Sequence, residues 1–454
     1  MKKYPKYKPS GVEWIGDVPE GWNCFRIKNL LLSETNGIWG EEMQGDENDV
    51  VCLRVADFDR DFDNIAKTGN TYRNIVEKDF EKRKLERGDL LIEKSGGGEL
   101  LPIGRVGLFE WENGKAVCSN FMARLRPNDE KIQSKFLFYI FKTFYIKRLN
   151  IRHIKQTTGI QNLDTASYFN EISPCPPIPE QTAIAAYLDR KTAQIDQSIA
   201  EKERLIELFH EERQAIINHA VTKGIRPGAK MKPSGLEWIG DVPEGWEVSK
   251  FKYYVRTKAR LGWKGLKAEE YVESGYGFLS TPNIKGVEID FEKINFITEE
   301  RYQESPEIML EEGDVLLAKD GSTLGIVNIV KHLPFPCTVN SSIAVLRVFE
   351  MTELHPLFLK FFIESDFTQN VIQNLKAGMG VPHLFQADIN NFEILLPPIQ
   401  EQTAIAIYID QKTAQIDTAI SGIRQEIALL QEYRQALIFE AVTGKIDVRE
   451  NIQN

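Results

Sequence analysis

Two stretches hold residue types that could work on a phosphodiester. GDLLIEKSG (88–96) and GDVLLAKDG (313–321) each set an Asp before an apolar run and a Lys after it. A metal-dependent nuclease of the Asp…Glu-x-Lys type uses such carboxylates to hold its ion. The spacing fails here: Glu93 and Lys94 are adjacent, and Asp314 is followed by Ala318 and Lys319. No GxxxxGK[ST] is present to cradle a nucleoside triphosphate. GGG (96–98) lacks GxGxxG spacing and reads as a tight hairpin turn. Glu99 and Asp320, beside glycines, read as turn residues. The Pro-Pro pairs are CPPI and LPPI, not the [DN]-P-P-[FYW] that grips a flipped base in amino-methyltransferases. Six histidines are scattered with neither HExxH nor H-x3-H, so no metal site is expected. Cys24, Cys52, Cys118, Cys175 and Cys337 form no CxxC pair and read as reduced packing thiols of a cytosolic protein. The chain is expected to carry out no bond chemistry itself.

The frame that positions these residues is written twice. KPSGVEWIGDVPEGW (8–22) returns as KPSGLEWIGDVPEGW (232–246). PPIPEQTAIAAYLDRKTAQID (176–196) returns as PPIQEQTAIAIYIDQKTAQID (397–417), and RQAIINHAVTKGI (213–225) as RQALIFEAVTGKI (434–446). Between these anchors the halves diverge, with the GD stretches as a faint echo. The order is shared lead-in, variable insert, shared helix, then the same again. Two copies are too few for a solenoid. They predict an internally duplicated, pseudo-two-fold protein.

Residues 180–221 and 401–442 contain no Pro and one Gly, Gly422, and follow prolines that should end any earlier element. Ile416, Ile420, Ile423, Ile427, Leu430, Arg434, Leu437 and Ala441 step 4-3-4-3. Ile195, Ile199, Lys202, Ile206, Phe209, Arg213, Ile216 and Ala220 share that register. This is coiled-coil spacing. Near-identical faces predict that the helices pack on each other, antiparallel if a two-fold relates the halves. Arg213 and Arg434 share one seam position, where the side chain either snorkels or reaches a neighbouring acid.

The inserts mix strands and helices. Strands are expected over 50–57, 88–94, 104–111 and 116–127, and again over 276–284, 313–319, 324–331 and 341–349. Apolar helices are expected over 132–150 and 355–375. The predicted class is α/β (mixed α+β). Its predicted division is variable domain 1–178, long helix 179–225, variable domain 226–399, long helix 400–446 and tail 447–454.

The formal net charge of −10 argues weakly against a nucleic-acid partner. The distribution weakens that objection. Lys131 to Lys155 holds seven Lys/Arg and no Asp or Glu, and so does Lys250 to Lys267. They read either as anion-binding faces or as solvated faces. No apolar run approaches the ~18 residues of a membrane span. The basic start, MKKYPKYKPSGVEW, has no apolar core behind it and does not read as a signal peptide.

Two variable domains, each opened by WIGDVPEGW and closed by PPIxEQTAIAxYxDxKTAQID plus a long helix, resemble the specificity subunit of type I restriction–modification enzymes over residues 8–446. The resemblance implies a cytoplasmic subunit, itself without cofactor, whose domains each read half of a bipartite double-stranded DNA site. It implies that the paired helices fix the gap between half-sites. It also implies that they dock two modification subunits, which bind S-adenosylmethionine and methylate adenine. Restriction subunits would add ATP- and Mg-dependent translocation and cleavage. Two rival readings stay open: a coiled-coil scaffold whose domains bind proteins, and a fused enzyme with its own methyltransferase.

The resemblance supplies no code for base contacts, so the candidates are chemical. In the first domain they are Lys94 and Ser95, then Arg152, Lys155, Gln156, Thr157 and Thr158. In the second they are Arg256, Lys258, Arg260, Trp263 and Lys264, then Lys319, Ser322 and Thr323. Arg and Lys suit guanine and phosphate, and Gln suits adenine. Lys155 and Arg260 are expected to anchor phosphate. The identity of the two WIGDVPEGW copies points to a structural mount, because two different half-sites would require two different readers.

Overall fold

The computed structural model describes residues 2–59, 65, 71–98, 101–112, 114–157, 159–259, 266, 268–376 and 383–449. The chain divides into two compact units, residues 1–201 with 426–454, and residues 202–425. The division falls inside the long helices, Ile178–Lys223 and Ile399–Val442. Each unit thus owns the first part of one long helix and the last part of the other.

In the first unit a four-stranded antiparallel sheet runs in the order Leu31–Asn36, Met122–Pro127, Leu90–Glu93, Val106–Leu108. Leu90–Glu93 is buried at every position, as a central strand should be. Leu31–Asn36 is an edge and alternates with period two, which turns Leu32, Glu34 and Asn36 outward. A three-stranded sheet of Ala116–Cys118, Asp49–Leu53 and Tyr72–Asn74 contains one parallel pair. The second unit repeats both sheets. Its four strands run Val255–Lys258, Ile343–Val348, Val315–Ala318, Val327–Ile329, and Tyr276–Leu279 lies parallel to Cys337–Val339.

The GD echo marks a shared lock. Gly88 and Gly313 have φ of 97° and 94°, which a side chain would strain. The Asp that follows is almost wholly buried. Asp89 accepts from the Glu86 backbone N–H at 2.7 Å and takes two hydrogen bonds of 2.8 Å from the Arg126 guanidinium. Asp314 repeats this with Glu311 N–H at 2.8 Å and Arg347 at 2.7 and 2.8 Å. That hydrogen bond raises each guanidinium above its ordinary pKa. The two Asp residues that resembled nuclease ligands are fastenings between strands.

Several sequence expectations need correction. The strand expected over 276–284 stops at Leu279, and Thr281–Ile284 is a short helix. Ser280 and Asn283 form its capping box. The strand expected over 116–127 is two strands, and the one over 50–57 ends at Leu53 before a 3-10 turn. The single helix expected over 355–375 is two, Pro356–Glu364 and Asp366–Lys376, broken where Ser365 is extended at ψ 150°. The first long helix supports the break. Asn218 Oδ1 accepts from the Asp366 N–H at 2.9 Å, and Gln214 Nε2 donates to the Glu364 carbonyl at 3.1 Å. Polar groups freed by the break thus find partners on another element.

The seam follows the expected spacing. Ile195, Ile416, Ile420 and Leu437 are buried, and Ile199, Ile206, Phe209, Ile216, Ile423, Ile427 and Leu430 are partly buried. Arg434 reaches Asp196 at 2.8 and 3.2 Å inside the first unit. Arg213 reaches Asp417 at 3.7 Å and Glu364 at 2.7 Å inside the second. Asp196 and Asp417 are themselves equivalent residues of the two KTAQID copies. The seam arginines therefore reach acids across the seam, and the two pairings run antiparallel.

The mount is built from the repeated words. Asp17–Pro19 pairs with Tyr7–Pro9, and Asp241–Pro243 with Met231–Pro233. Trp22 and Trp246 are each 1% exposed and wedge against the end of a long helix. A Cβ on Gly444 would lie 3.1 Å from Trp22, and one on Gly224 3.4 Å from Trp246. Lys445 Nζ donates to the Asp17 carbonyl at 2.5 Å, and Lys223 Nζ donates to those of Ile239 and Asp241. The Gln of PPIxEQ is a second fastening. Gln181 accepts from Gln133 N–H at 2.8 Å, and Gln402 from His355 N–H at 2.9 Å, each at the start of the insert's apolar helix. One difference breaks the identity of the mounts. Trp14 packs edge-on against Phe144 and Trp238 edge-on against Phe367, but Trp14 is partly buried whereas Trp238 stands 65% exposed.

Candidate nucleic-acid interface

Of the first-unit candidates, Lys155 and Ser95 meet in one row. Ile154–Thr157 and Ile160–Leu163 form a hairpin whose second strand pairs with Ser95–Gly96. The register aligns Lys155, Asn162 and Ser95 as cross-strand neighbours, with Gln156, Gln161 and Gly96 one step along. Beside this row lies a recess of about 420 Å³ lined by Glu34, Asn36, Lys94, Ser95, Asn162, Leu163 and Thr165. Six of these seven side chains are polar or charged, so the recess suits a polar surface such as a base edge or a phosphate.

Within it, Lys94 Nζ donates to Asn36 Oδ1 at 2.6 Å, and the Ser95 hydroxyl donates to Asn162 Oδ1. Lys155 is 74% exposed and sits 2.7 Å from Asp164, whose carboxyl it holds below the usual range. Gln156 is exposed. Arg152 is tied to Glu171 at 2.8 and 2.5 Å. Thr157 lies in the hairpin strand, and Thr158 lies outside the described residues.

In the second unit, Lys319 and Asp320 follow the central strand Val315–Ala318, and Ser322 and Thr323 sit in the next 3-10 turn. Lys319 is largely buried, its amine 3.3 Å from Asp320. Asp320 bonds His383 Nδ1. Arg256 is exposed on the edge strand and lies 5.9 Å over the Phe349 ring, and Lys258 is partly buried. Arg260, Trp263 and Lys264 lie outside the described residues.

The basic stretch 131–155 does not form one cationic face. Lys135 pairs with Asp189 at 2.8 Å on the first long helix, and Lys147 lies 3.9 Å over Phe439 on the second. Lys142 covers Phe138, and Arg152 is held by Glu171. A helix carries successive residues around its axis, so a run of like charges on Ser134–Ile146 spreads over several faces. The residues that sequence reading missed are Asn36, Asn162 and His383. An offset of 221 from the helix anchors sets Asn162 opposite His383 and Leu163 opposite Leu384.

Burial raises Cys52 and Cys175 to about 11 and Cys118 and Cys337 to about 12, which leaves them protonated packing groups. Among the described residues no group of His, Cys, Asp and Glu is arranged to hold a metal, and no helix is long and apolar enough to cross a membrane.

Two units of one topology, the first with a polar recess and the second with the Asp320–His383 pair at the same end of its central strand, define a duplicated recognition protein. The chain matches the type I restriction modification DNA specificity domain over residues 19–208 and again over 244–429, and it belongs to that family. It is the specificity subunit of a type I system, which directs target recognition for methylation and restriction and is not itself the catalyst. It is 26% identical over 338 residues to the MjaVIII specificity subunit of Methanocaldococcus jannaschii, covering 74% of this chain and 75% of that one. It is 24% identical to the EcoKI specificity subunit of Escherichia coli, covering 84% and 79%. Among solved structures, a chain from a study of type I R-M assembly and conformational transition superposes with a TM-score of 0.72, at 18% identity over 94% of this chain and 99% of that one. The HsdS subunit of Thermoanaerobacter tengcongensis gives 0.53, also at 18% identity, over 94% and 98%.

Proposed function

We propose that this subunit reads a bipartite, asymmetric double-stranded DNA target, one half-site per unit. The observation that carries this is the duplicated frame: the Asp–Arg, Gln and Trp fastenings recur in both units, whereas the side chains beside Lys94 and Lys319 differ. In this reading residues 1–178 and 226–399 recognise DNA, 179–225 and 400–446 set the spacing, and 447–454 form a tail. The helices also dock modification subunits, which carry S-adenosylmethionine and methylate adenine. Restriction subunits bring ATP- and Mg-dependent cleavage. The relatives named as type I specificity subunits support the assignment of partners. Long-read methylation mapping of a host expressing this chain with its modification subunit tests it. A two-part motif with an undefined gap is expected, and a continuous or absent motif overturns the reading.

Lys155 serves here as a phosphate anchor, because an exposed cation beside the recess meets backbone rather than base edges. Lys155→Ala should weaken binding for every sequence and reduce the salt slope by about one. Titrations at several salt concentrations check this, and unchanged slope and affinity remove the role.

One heptad inserted after Thr192 should lengthen the gap and leave both half-site sequences alone. Seven residues preserve the seam register while moving its ends apart. Altered half-site bases with the old gap would contradict the spacing role.

A further inference from the structure

The two units can be superimposed in sequence through their backbone hydrogen bonds. In the first, Lys94 N–H donates to the Phe121 carbonyl at 2.8 Å, and Leu163 N–H to the Lys94 carbonyl at 2.8 Å. In the second, Lys319 N–H donates to the Ser342 carbonyl at 2.8 Å, and Leu384 N–H to the Lys319 carbonyl at 2.9 Å. Lys94 and Lys319 are therefore equivalent, as are Leu163 and Leu384. The next pair is equivalent too. Ser95 stands opposite Asn162 in strand register, and Asp320 forms a bridge with His383.

At this one position the chemistry departs while the backbone does not. The first unit holds a hydroxyl donating to a carboxamide, and the second a carboxylate on an imidazole. Each partner closest to the strand orients the outer one. Ser95 occupies one lone pair of Asn162 Oδ1 and leaves the Nδ2 donors and the second lone pair facing out. Asp320 occupies His383 Nδ1 and leaves Nε2. Among the described residues, neither Asn162 Nδ2 nor His383 Nε2 has a partner. Asn162 is exposed beside the polar recess and is a cross-strand neighbour of Lys155. A carboxamide that offers donor and acceptor together matches the N6–H donor and N7 acceptor of adenine in the major groove.

Building on the DNA-reading function above, we infer that Asn162 and His383 are the base-reading residues at one equivalent position of the two units. Asn162 selects an adenine of the first half-site, and His383 reads its counterpart in the second through Nε2. Ser95 and Asp320 are positioning residues that aim them.

The test uses the full chain with its modification subunit, mapped by long-read methylation sequencing and by competition binding with oligonucleotides varied at each motif position. The wild-type map must first give a two-part motif; its absence fails the DNA-reading function rather than this assignment. Given the motif, Asn162→Ala should relax a single A·T position of one half-site, with discrimination there falling roughly 5- to 150-fold, as expected for one bidentate base contact. Asn162→Asp, of equal size, exchanges the donor for an acceptor and should favour cytosine at that position. His383→Ala should relax one position of the other half-site only. An unchanged motif in Asn162→Ala, adenine preference retained in Asn162→Asp, or equal loss over all sequences would each overturn the inference.

Discussion

Arg126→Ala should lower the melting temperature of the first unit by roughly 10 °C, on the order of 3–5 kcal/mol. The reason is which partner is buried. Asp89 is 2% exposed and keeps only the Glu86 N–H once the guanidinium is gone, so a charge is stranded in the sheet. The reverse change is milder. Asp89→Ala removes the buried charge, and Arg126 retains Glu86 at 3.1 Å and some solvent. The order of severity is thus Arg126→Ala above Asp89→Ala. Hydrogen exchange localises the effect: Leu90–Glu93 and Met122–Pro127 should lose protection, and Val315–Ala318 and Ile343–Val348 should keep theirs. Equal protection in variant and wild type would show that the pair is not a fastening.

Trp22→Ala should cost a similar 3–5 kcal/mol, the range for deleting a buried aromatic. Trp22 is 1% exposed, meets the Tyr4 ring edge-on at 5.7 Å and closes over Gly444 at the end of the second long helix. The loss should therefore appear at two places far apart in sequence. Peptides covering 4–22 and 437–448 should exchange faster together. Faster exchange confined to 4–22 would mean that the motif folds on itself and does not grip the helix. Trp22→Phe should recover most of the loss, because Trp22 Nε1 has no hydrogen-bond partner to lose. Trp246→Phe should recover less, since Trp246 Nε1 donates to Glu401 at 3.3 Å.

What could be read from the chain beforehand follows the range of the forces involved. The seam was legible because its period is local: Ile195, Ile416 and Leu437 are buried where the 4-3 steps put them. The fate of Arg213 and Arg434 was not, because Asp417 and Asp196 lie on the other helix, some 200 residues away in the chain. The short helix at Thr281 was legible in hindsight from Ser280, Pro282 and Asn283, a capping box inside an apolar run. The break at Ser365 was not, since its support comes from Asn218 and Gln214. At the site, Lys94, Ser95 and Lys155 stood out by type. Asn162 did not, because its distinction is a register opposite Ser95 that only strand pairing creates. Lys319 stood out equally, yet the fold turns it inward onto Asp320.

The Asp–Arg lock, the Gln clasp and the Trp wedge recur in both units, and none of their residues lies in the row of Lys155, Asn162 and Ser95 or in the pair Asp320 and His383. Proteins sit close to a stability threshold, and most sequence drift is limited by it. An exposed side chain such as Asn162 can change with little effect on folding, usually within about 0.5 kcal/mol. Variation in what the protein reads is thereby uncoupled from whether it folds. New specificities become reachable by single steps, through intermediates that remain assembled and heritable.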